Sequence, residues 1–387
     1  MQTQVERPGP MHILFGAATT RARVLEAIPD WLWLVNAPGA RLLILVEEAD
    51  ERNSSTIALA SLNAALSDAG INGIVEASPL DFERRYMSLV AAFRRHRRRE
   101  EWFATIDDDT AFIRGLEPIW NMLRKYDARK NWLVGTFSEA QAHYGPIGRI
   151  AFGGGGIFLS KGLVENMTKP RSDGSSPHSD CDAEHNWGGG DLRISHCAYD
   201  KLRVEVSVET SLHQMDLLGS SHGVLESGQE VSSFHHYKSW NHFDPTRMMR
   251  AGAICHGICV LQRFDAPSHY WTGQDVAQLA THNISLTSPR TVLAYGVSLT
   301  HYPTLPDLAA LEKTWNDAWD HGVFRPTFNF GPLRAPQGEG SGRFTWQLEG
   351  QHVSQQQQSG SKWLHQLYVR RVEGQQDSVV EYVWLEK

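Results

Sequence analysis

Three adjacent carboxylates, Asp107, Asp108 and Asp109, end the apolar run Trp102-Phe103-Ala104-Thr105-Ile106. A run of Trp, Phe, Thr and Ile suits a buried strand, and ligand sites in open α/β sheets form at the carboxyl ends of such strands. Like charges this close repel one another and resist burial unless a cation neutralises them. A ligand set made only of oxygens points to a hard ion, Mg2+ or Mn2+, of the kind that bridges phosphate oxygens. The competing reading makes Asp109 or Thr110 the cap of a following helix, because Leu116, Ile119, Trp120 and Leu123 recur at helical spacing.

Further along, Gly153 to Gly156 interrupt an otherwise apolar segment. Such a run is costly in a strand without a reason, and it lacks the Gly-Lys-Ser/Thr ending of a phosphate loop. It is either a tight turn or a bare backbone surface for a flat sugar ring. Asp191 follows the glycines of Trp187-Gly188-Gly189-Gly190. It is either the N-cap of a short helix ending near Asp200 or a carboxylate presented to a substrate. Cys181 and Cys197 flank that turn, where a bridge would hold it in place. His213-Gln214-Met215-Asp216 and Ser233-Phe234-His235-His236 come next. Side chains alternate along a strand, so only one of the two adjacent histidines is expected to face a shared site. His235 gains meaning only if it meets the Asp triplet in space.

The elements that must position these groups alternate. Met11 to Phe15 reads as a first buried strand, followed by Gly16 to Thr20 and a helix over Arg21 to Ile28. Small residues after that strand let a ligand approach the backbone. Arg41 to Val46 gives a second strand, and a helix with Leu59, Leu62 and Leu66 on one face stops at Gly70. Ile71 to Ala77 is a third strand. A helix with the stripe Tyr86, Leu89, Val90 and Phe93 then ends in the basic cluster Arg94 to Arg99, read as a solvated helix end favoured by the dipole. The strand bearing the triplet, a helix through Tyr126 and a strand over Asn131 to Thr136 complete a mostly parallel α/β sheet with crossover helices. Lys169 to Ser179 reads as a mobile surface loop.

From Cys255 the helical patterning fades, and Thr291 to Ser298, Trp363 to Arg370 and Val379 to Trp384 read as strands. Ala335 to Gly342 and Ser354 to Ser361 are low-complexity polar loops. The expected division is therefore an α/β domain over residues 1–254 and a β-rich accessory region over residues 255–387.

The chain has 387 residues, 41% hydrophobic and 21% charged, within the range of ordinary globular proteins. Its 37 Lys and Arg residues against 44 acidic ones leave a net charge of -7, which gives no support to nucleic-acid binding. No run of about 18 apolar residues is present and residues 1–10 are too polar for a signal peptide. Sequons begin at Asn53, Asn166 and Asn283, and the four cysteines, Cys181, Cys197, Cys255 and Cys259, are candidates for two disulfides. Together these suggest a secretory lumen, with any N-terminal membrane anchor lying outside this chain.

From Met11 to Trp240 the chain resembles the Fringe-like glycosyltransferases of glycosyltransferase family 31, particularly the plant and fungal type. The resemblance rests on Trp102-Phe103 before Asp107 to Thr110, Leu123 to Asp127, Gly135 to Glu139, Phe152 to Ile157, Gly190 to Arg193, His213 to Asp216 and Ser233 to His236. It implies a GT-A type, Rossmann-like mixed sheet flanked by helices, a UDP-sugar donor, a glycan or glycoconjugate acceptor and a divalent ion. It also implies inversion, commonly to a β-1,3 linkage, by a protein of the Golgi or ER lumen. On this resemblance Asp109 and His235, with Asp108, hold the metal. Asp107, Asp108, Gly154 and Gly155 face the donor, and Asp191 is the general base. Thr19, Thr20 and Arg23 are nucleotide contacts by fold position, Arg23 with a surface role as its alternative. Where relatives carry paired acids, Gly190 precedes Asp191, so the base has no local backup. Two other classes remain: a non-catalytic carbohydrate-binding protein on the same fold, which the missing acid favours, and a glycoside hydrolase, which needs no metal.

Overall fold

A computed structural model describes residues 9–48, 57–139, 150–185, 188–216, 218–219, 225, 231–239, 244–254, 263–267, 290–294, 297–304, 315–316, 343–355 and 360–385. The chain divides into two compact units, one of Met1–Met215 with Ser232–His236, the other of Asp216–Val231 with Tyr237–Lys387.

In the first unit the chain runs through β1 (Ile13–Ala18), α1 (Arg21–Ala27), β2 (Ala40–Glu47), α2 (Leu59–Asp68), β3 (Gly73–Ser78), α3 (Phe82–His96) and β4 (Trp102–Ile106). It continues through α4 (Glu117–Leu123), β5 (Leu133–Gly135), β6 (Ile157–Ser160), α5 (Lys161–Met167), α6 (Pro177–Glu184), α7 (Gly190–Leu202) and β7 (Val206–Val208). These strands form one sheet in the order β3-β2-β1-β4-β6-β5-β7. The pairs β2-β3, β1-β2, β1-β4 and β5-β7 are parallel, whereas β6 runs antiparallel to β4 and β5. The result is the mixed, helix-flanked α/β sheet expected from the sequence.

The apolar continuity of the central strands explains their place. Every residue of β1 and β4 is buried, as a sheet covered on both faces requires. From α3 the stripe Met87, Leu89, Val90 and Phe93 enters the same core. Phe93 stacks on Phe103 at 5.3 Å and fills the space where a Cβ on Gly16 would meet it at 2.5 Å. Burying one such aromatic ring contributes about 2–3 kcal/mol. Asp81 caps α3 through the Arg84 amide at 3.0 Å. The basic end of this helix is pinned more than solvated: Arg94 donates to the Thr168 carbonyl, Arg97 pairs with Glu165, and His96 meets Glu76 at 3.0 Å.

Several local expectations change. Neither Asp109 nor Thr110 caps a helix, because α4 starts only at Glu117, behind Leu116 and without a side-chain cap. Residues 107–110 close a turn instead, with the Thr110 amide on the Asp107 carbonyl at 3.1 Å. Asp191 is likewise not an N-cap; Gly189 takes that position and Asp191 sits in the first turn of α7, which runs on to Leu202. The loop expected over Lys169 to Ser179 ends early, because a Ser176 capping box with Ser179 starts α6 at Pro177.

The second unit contains β8 (Leu218–Gly219), α8 (Pro245–Ile254), β9 (Arg263–Pro267), β10 (Arg290–Ala294), β11 (Ser298–Tyr302), β12 (Trp315–Asn316), β13 (Phe344–Gln355), β14 (Lys362–Arg370) and β15 (Ser378–Leu385). Six of them form an antiparallel sheet in the order β15-β14-β13-β11-β10-β9, and β8 pairs with β12. The β-rich character expected from residue 255 onward holds. The compact unit, however, takes in α8, whose Ala251 packs on Leu364 and whose Arg247 donates to the Leu348 carbonyl at 2.8 Å. β13 is 12 residues long and carries Ser354 and Gln355, which the sequence had placed in a polar loop.

Candidate active site

The backbone brings the chemistry together. Beyond the triplet, Phe112 is buried against Trp33, with ring centroids 4.5 Å apart. Ala111 forms an antiparallel bridge with Phe234, each amide donating to the other's carbonyl at 2.9 Å. That bridge lays residues 234–236 beside residues 109–111. The Thr110 hydroxyl accepts from the Asp107 amide at 3.1 Å and donates to the Gly154 carbonyl at 3.0 Å, tying the glycine run to the same turn.

His235 meets the triplet. Its Nδ1 lies 3.1 Å from the Gln214 carbonyl, which can only accept, so Nδ1 carries a proton. Nε2 faces Asp109 Oδ1 at 2.9 Å and Asp107 Oδ2 at 3.4 Å. Gln214 is fixed in turn, its Oε1 accepting from the Gly155 amide at 3.0 Å. The buried Glu139 meets His213 Nδ1 at 3.2 Å and accepts from the Met215 amide at 2.8 Å. A carbonyl behind a histidine that presents its other nitrogen is the usual support of a metal-ligating imidazole.

His236 also faces this point, against the alternation expected of a strand. Its φ is 55°, in the left-handed region, which breaks the alternation, and its ring lies tilted against that of His235 with centroids 3.7 Å apart. Asp109, His235 and His236 each offer a ligand atom, all within 4.8 Å of one another. These residues fit a divalent ion. The set is not oxygen-only: two imidazoles join one carboxylate, a mixed donor set unlike the all-oxygen shell that suits Mg2+ best.

Asp108 stands apart from this group. Its carboxylate accepts from the buried Thr19 hydroxyl and from the Arg23 guanidinium, so both residues after β1 reach the triplet through Asp108. Thr20 is the N-cap of α1. The glycine run forms a turn, the Gly156 amide donating to the Gly153 carbonyl at 2.8 Å. Its bare faces are filled by the protein itself. Added Cβ atoms on Gly153, Gly154 and Gly155 would lie 2.2 Å from the Tyr86 hydroxyl, 2.0 Å from His235 Nδ1 and 2.5 Å from Thr136 Cγ2.

Asp191 reaches the site from α7, its Oδ2 accepting from the Gly153 amide at 3.3 Å. The positive end of the α7 dipole favours its ionised form. Glu83, on α3, accepts from the Gly190 amide at 2.5 Å. A Cβ on Gly190 would come within 2.4 Å of Tyr86 Cβ, which accounts for glycine before the acid. The buried disulfide Cys181–Cys197 ties α6 to α7.

Charge is unevenly shared. Burial pushes the Asp107 carboxyl up to about 7; the His235 charge opposes this, and Asp109, Asp191 and Asp108 add to it. Burial also acts against ionised Asp109, but the hydrogen bond from His235 and the charges of His235, His236 and Arg23 outweigh it and hold the group down to about 2. Burial raises the Tyr86 hydroxyl well above the ordinary phenol value, with Asp107 and Asp191 adding to the effect.

Sequence reasoning missed His236, Tyr86 and Glu83. Tyr86 was absorbed into the apolar stripe of α3, and only its spacing of three from Glu83 marks a shared helix face. Of the remaining candidates, Asn166 is exposed at the end of α5 with its amide on Asn131 Oδ1 at 2.8 Å. Cys255, Cys259, Asn53 and Asn283 lie outside the described residues.

Residues 69–251 match the Fringe-like family. No curated protein matches the sequence. Among solved structures, mouse xyloside xylosyltransferase 1 in its apo form is similar at 10% identity and a TM-score of 0.33, over 51% of this chain and 85% of that one. The glycosyltransferase GlyE of Streptococcus pneumoniae TIGR4 is similar at 15% identity and a TM-score of 0.34, over 52% of this chain. The chain spans 46% of GlyE, less than half its length.

Proposed function

We propose, from the premise that residues 69–251 belong to the Fringe-like family of glycosyltransferases, that this chain moves a sugar from a UDP-sugar donor to a hydroxyl of a glycan or glycoconjugate acceptor. The reaction inverts the anomeric carbon, depends on a divalent ion, Mn2+ before Mg2+, and forms a β-1,3 linkage. The observation that carries this reading is the convergence of Asp109, His235 and His236 on one point, with Asp191 beside the same glycine turn.

Asp109, His235 and His236 would hold the ion, and the chemistry it would supply is neutralisation of the charge that builds on a departing diphosphate. Thr19, Arg23 and Asp108 form a polar patch at the end of β1 for the nucleotide. Asp191 takes the proton of the acceptor hydroxyl as that oxygen bonds to the anomeric carbon and the bond to the phosphate oxygen breaks. A general base contributes about 10²–10⁴-fold in rate. Attack from the face opposite the leaving group inverts the centre.

The Cys181–Cys197 disulfide supports a secretory compartment, the Golgi or ER lumen. No helix among the described residues is long and apolar enough to cross a membrane.

A panel of UDP-sugars, each offered with Mn2+ and with a chelator, tests the function through UDP release. The expected result is release from one donor that the chelator abolishes. No release from any donor would favour a carbohydrate-binding protein, and chelator-resistant cleavage of a glycan would favour a hydrolase.

A further inference from the structure

Tyr86 occupies the space between the two halves of the site. It is 3% exposed, and its ring fills the volume that any side chain at position 190 would need, 2.4 Å from Tyr86 Cβ. At its other end the hydroxyl lies against Gly153, where a Cβ would approach it to 2.2 Å and Asp107 Oδ1 to 3.0 Å. The hydroxyl makes no hydrogen bond of ordinary geometry, and neither does its neighbour, the buried Thr105 hydroxyl. Its other polar neighbours are Asp107 and Asp191. A helix-borne phenol is thus wedged between the strand end that carries the triplet and the helix start that carries the base. One turn earlier on α3, Glu83 holds the Gly190 amide, so a single helix face braces the start of α7 twice.

Resting on the sugar-transfer reading, we infer that Tyr86 is a positioning residue of this site: its ring sets where Asp191 stands relative to the glycine turn, and its hydroxyl steadies the Asp107 carboxylate on the side facing Asp191. A buried neutral donor between two carboxylates offsets their repulsion without adding charge. Asp107 is not one of the Asp109, His235 and His236 group and meets it through His235 Nε2 at 3.4 Å. The hydroxyl therefore acts more on turnover than on metal-dependent donor binding.

Tyr86→Phe keeps the ring and removes only the oxygen. It should lower kcat by about 5–10-fold, the scale of one neutral polar contact. Mn2+-dependent UDP affinity, read by calorimetry, should fall by less than kcat does. Unchanged kcat, or equal losses of kcat and affinity, would overturn the inference. A second arm needs no turnover: thermal unfolding of wild type, Tyr86→Phe, Asp107→Asn and the double variant, each without metal. The two substitutions should be non-additive in melting temperature, and strict additivity would overturn the inference. If the wild type transfers no sugar yet the thermal coupling is present, the transfer reading fails and the positioning role stands.

Discussion

The imidazole of His235 lies over Gly154, close enough that a Cβ on the glycine would come within 2.0 Å of Nδ1. The same nitrogen donates to the Gln214 carbonyl. Any side chain at position 154 must therefore push the ring away from both Gln214 and Asp109. Gly154→Ala should weaken Mn2+ binding by about 10–100-fold, as losing the support of a metal ligand does. Titration of the metal-free protein with Mn2+ checks this; an affinity equal to wild type would show that the ring has room to move without leaving its place.

His236 should matter nearly as much as His235. Because its left-handed backbone turns the ring toward Asp109, His236→Ala removes one of three candidate ligands. Mn2+ affinity should fall at least about tenfold, an energy of about 1.4 kcal/mol. The same titration reads it, and an unchanged affinity would restore the simpler picture of one inward-facing histidine.

The raised Asp107 carboxyl gives the metal-free protein a defined pH dependence. Its folded value of about 7 stands above the ordinary carboxyl value of 3.8, so the folded chain keeps a proton that the unfolded chain releases between those limits. The contribution to stability is fully present below about pH 4 and is lost as pH rises through about 7. In a chelator, melting temperatures from pH 5 to 8 should fall more steeply for wild type than for Asp107→Asn. Parallel curves would mean that this carboxyl titrates as an ordinary one.

The Cys181–Cys197 bridge spans 16 residues of sequence and anchors the helix that carries Asp191. Closing a loop of that length stabilises a fold by about 3 kcal/mol in the chain-entropy description. Replacing both cysteines with serine should lower the unfolding free energy by about 2–4 kcal/mol. Denaturant unfolding measures it, and a loss under about 0.5 kcal/mol would show that packing of α7 on α3 suffices to hold the base.

Much of the first unit was legible because β1 and β4 are buried over their whole length and its helices repeat every three to four residues. β2, α2, α3 and β4 fall where those periods place them, whereas β1 starts at Ile13 and runs on through Gly16 to Ala18. The misses have local causes. Thr110 has the chemistry of a cap but spends its hydroxyl on the Asp107 amide and the Gly154 carbonyl, contacts between segments distant in sequence. His236 was discounted by strand alternation, which one positive φ defeats and no spacing rule announces. Of the two readings of the glycine run, the tight turn holds, and sequence cannot show that Tyr86, His235 and Thr136 fill the space a sugar ring would need. β13 carries glutamines, histidine and serine on a half-exposed sheet, so its polar stretch reads as loop until β14 pairs with it.

The division of labour between the triplet and the helix-borne acid is the centre of the account, and calorimetric titration of UDP in the presence of Mn2+ tests it most directly. Asp109→Ala should abolish metal-dependent UDP binding. Asp191→Ala should bind UDP as wild type does while sugar transfer, followed in parallel, disappears. Equal losses of binding in the two variants, or full transfer by Asp191→Ala, would contradict it.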